Sequence, residues 1–338
     1  MLMKSLQLVA VMVISAVVTL FSGESQSALI DSHSILVSHR NERGLSEIIE
    51  FSRTGEVRQT FLIPNGTGFG SGEARALAMD QKGKVQIFNG TFSPYLTTLT
   101  PQSAAGAATF EHHTIAGWSV VNNTSYGAVA LDPARNAIYV NDMSTASPGG
   151  PTGIIRFDST TYAATRVRSG EYTKVTLGLD GLLYASFPAT MPGNNKLDVI
   201  DPVNFSLLRT VTLPTNGLIT FTGFAVDAAG SIYATEGREF GTGIDKFTPQ
   251  GVLIKHKGNG TPWLHDLALS PDGKLVTLSH DGDVVMTTTE LTSITSFQST
   301  LIDSDFSFVA WAVPEPPAGS LLILVICGFA ARRPDYRP

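Results

Sequence analysis

The sequence predicts an all-β fold, a six-bladed β-propeller built from four-stranded blades. A β-hairpin pattern recurs along the chain: a short apolar strand, a polar turn that usually ends in glycine, and a second apolar strand. Further strands follow each hairpin, and four short strands every 40–50 residues are typical of a propeller blade. Charged residues make up only 15% of the chain, with 32 glycines and 18 prolines, a composition that suits strands joined by many turns.

The repeated hairpins define the inner half of five blades. They occupy residues 77–87, 130–140, 176–185, 225–234 and 268–277. Glycines take the equivalent turn position in four of them, and Asn136 lies near that position in the second. Those glycines are Gly83, Gly181, Gly230 and Gly273. The spacing therefore predicts where each blade begins.

The two ends of the repeat array predict how the ring closes. The first apolar strand, Ile35–Val37, matches the second strand of a blade, and a first-strand candidate is left over at 308–312. Pairing these two segments gives six blades and removes both exposed sheet edges.

The N-terminus predicts a secretory signal peptide over residues 1–28. Lys4 precedes an apolar run from Leu6 to Phe21, and small residues lead to a cleavage site after Ser27 or Ala28. The alternative interpretation is a retained membrane anchor. The propeller then covers residues 29–313, and the Sec machinery and signal peptidase are expected partners.

The C-terminus, residues 314–338, carries three elements in order. Pro314, Glu315 and Pro316 precede an apolar stretch at 318–331, which ends at Arg332 and Arg333. This order resembles the PEP-CTERM sorting signal of Gram-negative bacteria that make exopolysaccharide. The resemblance implies recognition by an exosortase, a short transmembrane segment that transiently holds the tail in the inner membrane, and a cytoplasmic arginine pair. A simple C-terminal anchor is the alternative. The expected location is the periplasm, cell surface or extracellular matrix.

The antiparallel order of strands in a blade places the predicted binding mouth. The end of each second strand returns to the level at which the innermost strand begins, so six such ends surround one opening. The innermost strands are predicted to begin near Arg75, Lys174, Thr222, His265–Asp266 and Asp305. Long connections leave the same ends, as expected of a binding surface. Aspartates 80, 132 and 227 fall at the opposite opening, where we expect them to cap turns. The residues predicted at the binding mouth are His39, Arg75, Asn89, Asp142, Phe187, Glu236, His265 and His280.

The hairpin repeat resembles the broad six-bladed group that includes NHL-repeat and SMP-30/gluconolactonase-like proteins. The hydrolases of that group bind one divalent cation in this mouth, so the resemblance implies Asn89, Asp142 and Glu236 as ligands, with Ca²⁺ suited to oxygen donors. Asp142, Glu236 or His265 would then be the candidate catalytic base. The alternative is that these residues are the solvated rim of an ordinary propeller.

Charge and cysteine content narrow the function classes. A net charge of −6 gives no electrostatic basis for nucleic-acid binding, and the single cysteine, Cys327, excludes an internal disulfide. The favoured function is non-catalytic binding of a glycan, polymer or protein at the cell envelope or matrix. A metal-dependent lactonase or esterase is the first alternative, and a purely structural matrix component is the second.

Overall fold

The computed structural model describes the strands and most of the turns of the propeller. It covers residues 30–40, 45–64, 74–89, 95–102, 105–113, 127–142, 152–187, 195–214, 221–236, 243–258, 264–279, 281–292, 294–299 and 307–312. These residues form six antiparallel sheets of four strands each. The six-bladed propeller predicted from the sequence is confirmed.

Each blade runs from an innermost strand beside the channel to an outermost strand at the rim. From inside to outside, blade 1 contains β24 (Phe308–Trp311), β1 (Ile35–Arg40), β2 (Ser46–Phe51) and β3 (Val57–Leu62). Blade 2 contains β4 (Ala74–Met79), β5 (Val85–Asn89), β6 (Tyr95–Pro101) and β7 (Ala108–His113). Blade 3 contains β8 (Val129–Asp132), β9 (Ala137–Asp142), β10 (Gly153–Asp158) and β11 (Ala164–Ser169).

The second half of the chain continues the same order. Blade 4 contains β12 (Lys174–Leu177), β13 (Leu183–Ser186), β14 (Lys196–Ile200) and β15 (Leu207–Thr212). Blade 5 contains β16 (Phe221–Val226), β17 (Ile232–Glu236), β18 (Gly243–Phe247) and β19 (Leu253–Gly258). Blade 6 contains β20 (Leu264–Leu269), β21 (Lys274–Ser279), β22 (Asp283–Thr288) and β23 (Ile294–Gln298).

The ring closes through the strand predicted from the unmatched ends of the repeat. β24 pairs antiparallel with β1, with Val309 opposite Val37 and Trp311 opposite Ile35. The indole Nε1 of Trp311 donates to the carbonyl oxygen of Ala268 in blade 6 at 3.2 Å. Blade 1 therefore contains both ends of the propeller and joins blade 6 to blade 2.

The core lies between the blades. Leu36 and Ile48 of blade 1 pack with Leu77 and Ile87 of blade 2 in one buried cluster, and similar clusters join the other neighbouring blades. Burying one such side chain stabilises a fold by about 1.5–3 kcal/mol. Because each cluster takes residues from two sheets, the blades hold one another in place.

The turns of the inner hairpins carry the predicted capping aspartates. Asp80 Oδ1 accepts hydrogen bonds from the amides of Lys82 and Lys84, each at 2.9 Å. Asp227 Oδ1 binds the amides two and four residues later in the same way, and Asp132 Oδ1 accepts from the amide three residues later at 3.2 Å. The capping role predicted for these aspartates is confirmed.

The turn between the third and fourth strands has a left-handed residue in every blade. Those residues are Gly55, Gly106, Tyr162, Phe205, Gly251 and Leu291. Each turn contacts the preceding blade: Tyr162, for example, stacks on His113 of β7 with ring centroids 3.5 Å apart. A second set of contacts, near the outer rim, therefore links neighbouring blades.

The predicted signal peptide and the predicted sorting tail lie outside the described residues. Within the described part of the chain, no helix has the length and hydropathy needed to cross a membrane.

Candidate functional site

The strand register brings the predicted strand ends to one mouth of the ring. Ala74 lies opposite Asn89 in blade 2, and Lys174 lies opposite Ser186 in blade 4. Phe221 lies opposite Glu236 in blade 5. The starts of the innermost strands and the ends of the second strands therefore share one mouth, the loop-rich mouth. The first hairpin turns form the opposite opening, the turn mouth.

β-Bulges recur in the innermost strands at the loop-rich mouth. The register shifts between Ala74 and Ala76 in β4, between Phe221 and Gly223 in β16, and between Leu264 and Leu267 in β20. A bulge leaves the extra residue unpaired and redirects its side chain. The residues set apart in this way are Arg75, Thr222, His265 and Asp266.

An ion pair spans the channel just inside this mouth. The Lys174 ammonium of blade 4 contacts the Asp266 carboxylate of blade 6, and the two side chains are 14% and 8% exposed. Asp266 also accepts hydrogen bonds from the amide of Leu267 at 2.9 Å and from the amide of Val309 at 3.1 Å. Burial by itself lowers the pKa of Lys174, but the Asp266 carboxylate in contact with the amine favours the charged form, so that Lys174 is an ammonium in this pair. Asp266 thus ties together the innermost strands of blades 4, 6 and 1.

Two of the predicted metal ligands turn outward along their own blades. The Asp142 carboxylate pairs with Arg166 of β11, the outermost strand of blade 3. Asn89 Nδ2 donates to Thr97 Oγ1 of β6 at 2.7 Å, and Thr97 Oγ1 in turn lies 2.9 Å from His112 Nδ1 of β7. Both side chains are buried and hold strands of a blade together.

The other predicted mouth residues occupy different environments. Arg75 is fully buried, and His39 is nearly so. Phe187 is half-buried, and its ring lies 5.2 Å from that of Tyr172. His265 is half-buried, and its carbonyl oxygen accepts a hydrogen bond from Thr235 Oγ1 at 2.8 Å. The side chain of Glu236 and the whole of His280 fall outside the described residues.

The described side chains do not assemble a metal site. Among them, no group of three or more His, Cys, Asp or Glu residues could hold a metal ion. Asn89 and Asp142 are already bonded to outer strands of separate blades, which is a poor fit to a shared ligand set. Binding of Ca²⁺ by Asn89, Asp142 and Glu236 stays a prediction.

The channel itself contains a cavity of about 210 Å³. It runs from Lys174 and Asp266 to Leu179 and Pro271, which belong to the hairpin turns of the turn mouth. Lys174, Asp266 and Thr176 are the polar side chains in its lining, and the remaining lining residues are apolar. A much smaller cavity of about 20 Å³ lies on the other side of Lys174, toward the loop-rich mouth.

Sequence reasoning placed Lys174 and Asp266 at the starts of innermost strands but did not pair them. They are 92 residues apart in the chain, and only closure of the ring brings them together. A charged residue at or near the start of two innermost strands was the available signal. Such a residue does not by itself indicate which other strand supplies its partner.

Comparisons with known proteins support the fold alone. The chain matches no protein-family model, and no curated protein is similar to it in sequence. A chain in the nidogen/laminin complex structure is 12% identical, with a TM-score of 0.54, and the match covers 82% of this chain and 98% of that one. A protein of unknown function from Bacteroides caccae gives 12% identity, a TM-score of 0.53 and the same coverage.

A propeller enzyme is also among the similar structures. A catalytically inactive virginiamycin B lyase from Staphylococcus aureus, solved with quinupristin, is 15% identical with a TM-score of 0.50, and the match covers 81% of this chain and 87% of that one. The match to the U3-55K structure spans only 63% of that chain. At these identities, the similarity identifies a shared β-propeller architecture and carries no activity over to this protein.

Proposed function

We propose that this chain is an exported propeller that binds a glycan, polymer or protein partner through the connections at its loop-rich mouth, without catalysing a reaction. The observation that carries the proposal is that the charged side chains described at this mouth are paired with groups of the protein itself. Asp142 is paired with Arg166, and Asp266 is paired with Lys174 and two backbone amides. Carboxylates held in this way stabilise the scaffold and are poor candidates for proton transfer to a substrate.

The connections that leave the mouth are the remaining candidates for the binding surface. The chain segments 143–152, 187–195 and 237–242 join second strands to third strands in blades 3, 4 and 5. The strands that bracket the first of them are firmly paired, with Gly153 opposite Asp142. Variable connections on a rigid β-scaffold are a common way to build a recognition surface.

Replacement of one connection tests the proposal. A variant in which residues 144–151 are exchanged for a Gly/Ser linker should bind the host's exopolysaccharide at least tenfold more weakly, at an unchanged melting temperature. Val252→Ser, at an exposed position immediately before the outermost strand of blade 5, is the matched control and should bind normally. Unchanged binding by the linker variant would contradict the proposal. Hydrolysis of esters or lactones that depends on an added divalent cation would favour the enzyme alternative.

The proposed export rests on the two ends of the sequence. If both signals act, the mature protein begins at residue 28 or 29 and lacks residues 318–338 when it is produced in a host with an exosortase. Intact-mass measurement of the surface form checks both ends at once. A retained C-terminus would reduce the tail to an ordinary anchor and leave the binding proposal unaffected.

A further inference from the structure

The central channel has the form of a ligand pocket that opens at the turn mouth. Leu179 and Pro271 line its open end and are exposed, whereas the Lys174–Asp266 pair closes the other end. A cavity of about 210 Å³ exceeds the roughly 150 Å³ of an apolar cavity that is able to hold benzene. The space therefore suits a molecule with a body of about five to eight carbon atoms.

The lining determines what such a molecule must look like. Leu131, Leu177 and Leu269 extend the apolar wall toward the turn mouth, so the body of the ligand should be aliphatic. At the closed end, the negative charge of Asp266 balances the positive charge of Lys174. A charged ligand would therefore lose its hydrating water without meeting a net opposite charge. An uncharged ligand avoids this cost.

The closed end also offers hydrogen-bond donors. Within the described residues, the Lys174 ammonium has one hydrogen-bond partner, Asp266, although an ammonium group has three donors. Thr176 lies two residues further along the same strand and lines the cavity, with no side-chain hydrogen bond to another described residue. Residues two apart on a strand share a face. A carbonyl oxygen is an acceptor that the remaining Lys174 donors would bind.

We propose that the channel binds a small, uncharged aliphatic molecule with one carbonyl group near one end, which enters through the turn mouth and places its oxygen on Lys174. This site is separate from the connections proposed to bind a polymer or partner at the loop-rich mouth. Its occupant lies inside the ring, where it contacts the innermost strands of several blades. Binding should therefore also stabilise the closed propeller, because a ligand that binds only the folded state raises its stability.

A series of methyl ketones tests the size and shape of the pocket in the wild-type chain. Trp311 lines the cavity, so its fluorescence reports occupancy, and ligand-observed NMR provides an independent affinity. Methyl pentyl ketone should bind at least tenfold more tightly than methyl ethyl ketone, which is too short to fill the cavity, and than methyl nonyl ketone, which is too long. Affinity that increases steadily with chain length would overturn the proposal, because that is the behaviour of non-specific apolar binding.

Variants of the pocket test its location and its polar end. Thr176→Phe fills the channel and should abolish binding of methyl pentyl ketone, whereas Thr176→Val, which adds no volume, should retain most of it. Hexanoate should bind the wild type at least tenfold more weakly than the ketone. Lys174→Met, if its circular dichroism and melting curve show a folded propeller, should lose about tenfold in ketone affinity. Equal ketone affinity in the wild type and a folded Thr176→Phe variant would place any binding elsewhere and refute the channel site.

Discussion

A tyrosine in the second strand donates a hydrogen bond to the turn aspartate of its own hairpin in three blades. The pairs are Tyr139 with Asp132 at 3.4 Å, Tyr184 with Asp180 at 2.7 Å and Tyr233 with Asp227 at 2.9 Å. The same aspartates accept backbone amides of the turn, as Asp227 does from two of them. One carboxylate thus fixes both the turn and the strand after it, which explains why tyrosine recurs at this position of the repeat.

These tyrosines make the fold sensitive to high pH. Burial, followed by the nearby Asp132 carboxylate, raises the pKa of Tyr139 to about 12 from an ordinary value of 10.0. A raised folded-state pKa stabilises the fold fully below pH 10, and this contribution is lost as pH increases from about 10 to about 12. Burial raises the pKa values of Tyr184 and Tyr233 as well. Urea unfolding at pH 8 and pH 11 should show a smaller loss of stability in Tyr139→Phe than in the wild type, and an equal loss would contradict this assignment.

The Asp142–Arg166 pair is expected to stabilise blade 3. Asp142→Ala leaves the Arg166 guanidinium, which is only 26% exposed, without its carboxylate, and should lower the free energy of unfolding by about 2 kcal/mol. Urea denaturation measures this change. Glu111→Ala, at an exposed position on β7, is the control and should change stability by no more than about 0.5 kcal/mol. Equal effects of the two substitutions would show that the pair contributes nothing.

The two kinds of turn differ in how well the sequence predicted them. The inner hairpin turns carry Gly or Asn at the left-handed position, and these residues indicate such turns directly. The outer turns have Tyr162, Phe205 or Leu291 there in half of the blades, with positive φ values of 50–60°. Bulky residues disfavour that conformation, so no local rule predicts it. Their packing on the preceding blade maintains it: Tyr162 stacks on His113, and Leu291 is buried beside blade 5.

A comparison of two turn glycines distinguishes the cost of a left-handed backbone from the cost of a steric clash with the neighbouring blade. Gly181 has φ +82° with nothing within 4 Å of the position that an added Cβ would take, whereas at Gly251, with φ +88°, that position lies 2.5 Å from the carbonyl oxygen of Thr212. Gly181→Ala should therefore cost only the left-handed penalty of about 1 kcal/mol. Gly251→Ala should cost at least about 1 kcal/mol more, because the blade 5 turn must move away from blade 4. Thermal or urea unfolding of the two variants measures this difference in stability. An equal loss of stability in both would show that the blade 5 turn moves away from blade 4 without an energetic cost.

At the scale of the whole molecule, the sequence predicted the closed ring of six blades but not the side-chain contacts between distant blades. Periodicity identifies blades because each blade repeats a local pattern, and the unmatched ends at Ile35 and Phe308 identify the closing strand. The Lys174–Asp266 pair is a contact between two blades that are distant in sequence. No local pattern reports such contacts. From the sequence we also expected Asn89 and Asp142 to be either cation ligands or residues of a solvated rim, whereas in the structure both are buried and bonded to strands of their own blades.

Closure by β24 should be essential for the stability of the whole ring. A chain of residues 29–306 lacks β24, which exposes the inner edge of β1 and removes Val309 and Trp311 from a buried cluster with Ile35 and Val276. It also removes the Val309 amide that donates to Asp266. Loss of one buried tryptophan alone costs about 3–5 kcal/mol, a large part of the roughly 5–15 kcal/mol that stabilises a typical domain.

The matched control is a chain of residues 29–313, which retains β24 and omits only the tail. We expect 29–313 to melt cooperatively as a monomer, and 29–306 to unfold or to aggregate through the unpaired inner edge of β1. Melting followed by circular dichroism, with size-exclusion chromatography, distinguishes these outcomes. Adding a peptide of residues 306–313 to the shorter chain should restore part of its melting transition, because the peptide can pair with β1 in the register of the intact protein. A 29–306 chain that melts cooperatively within a few degrees of the control would mean that the other five blades hold the ring without this strand.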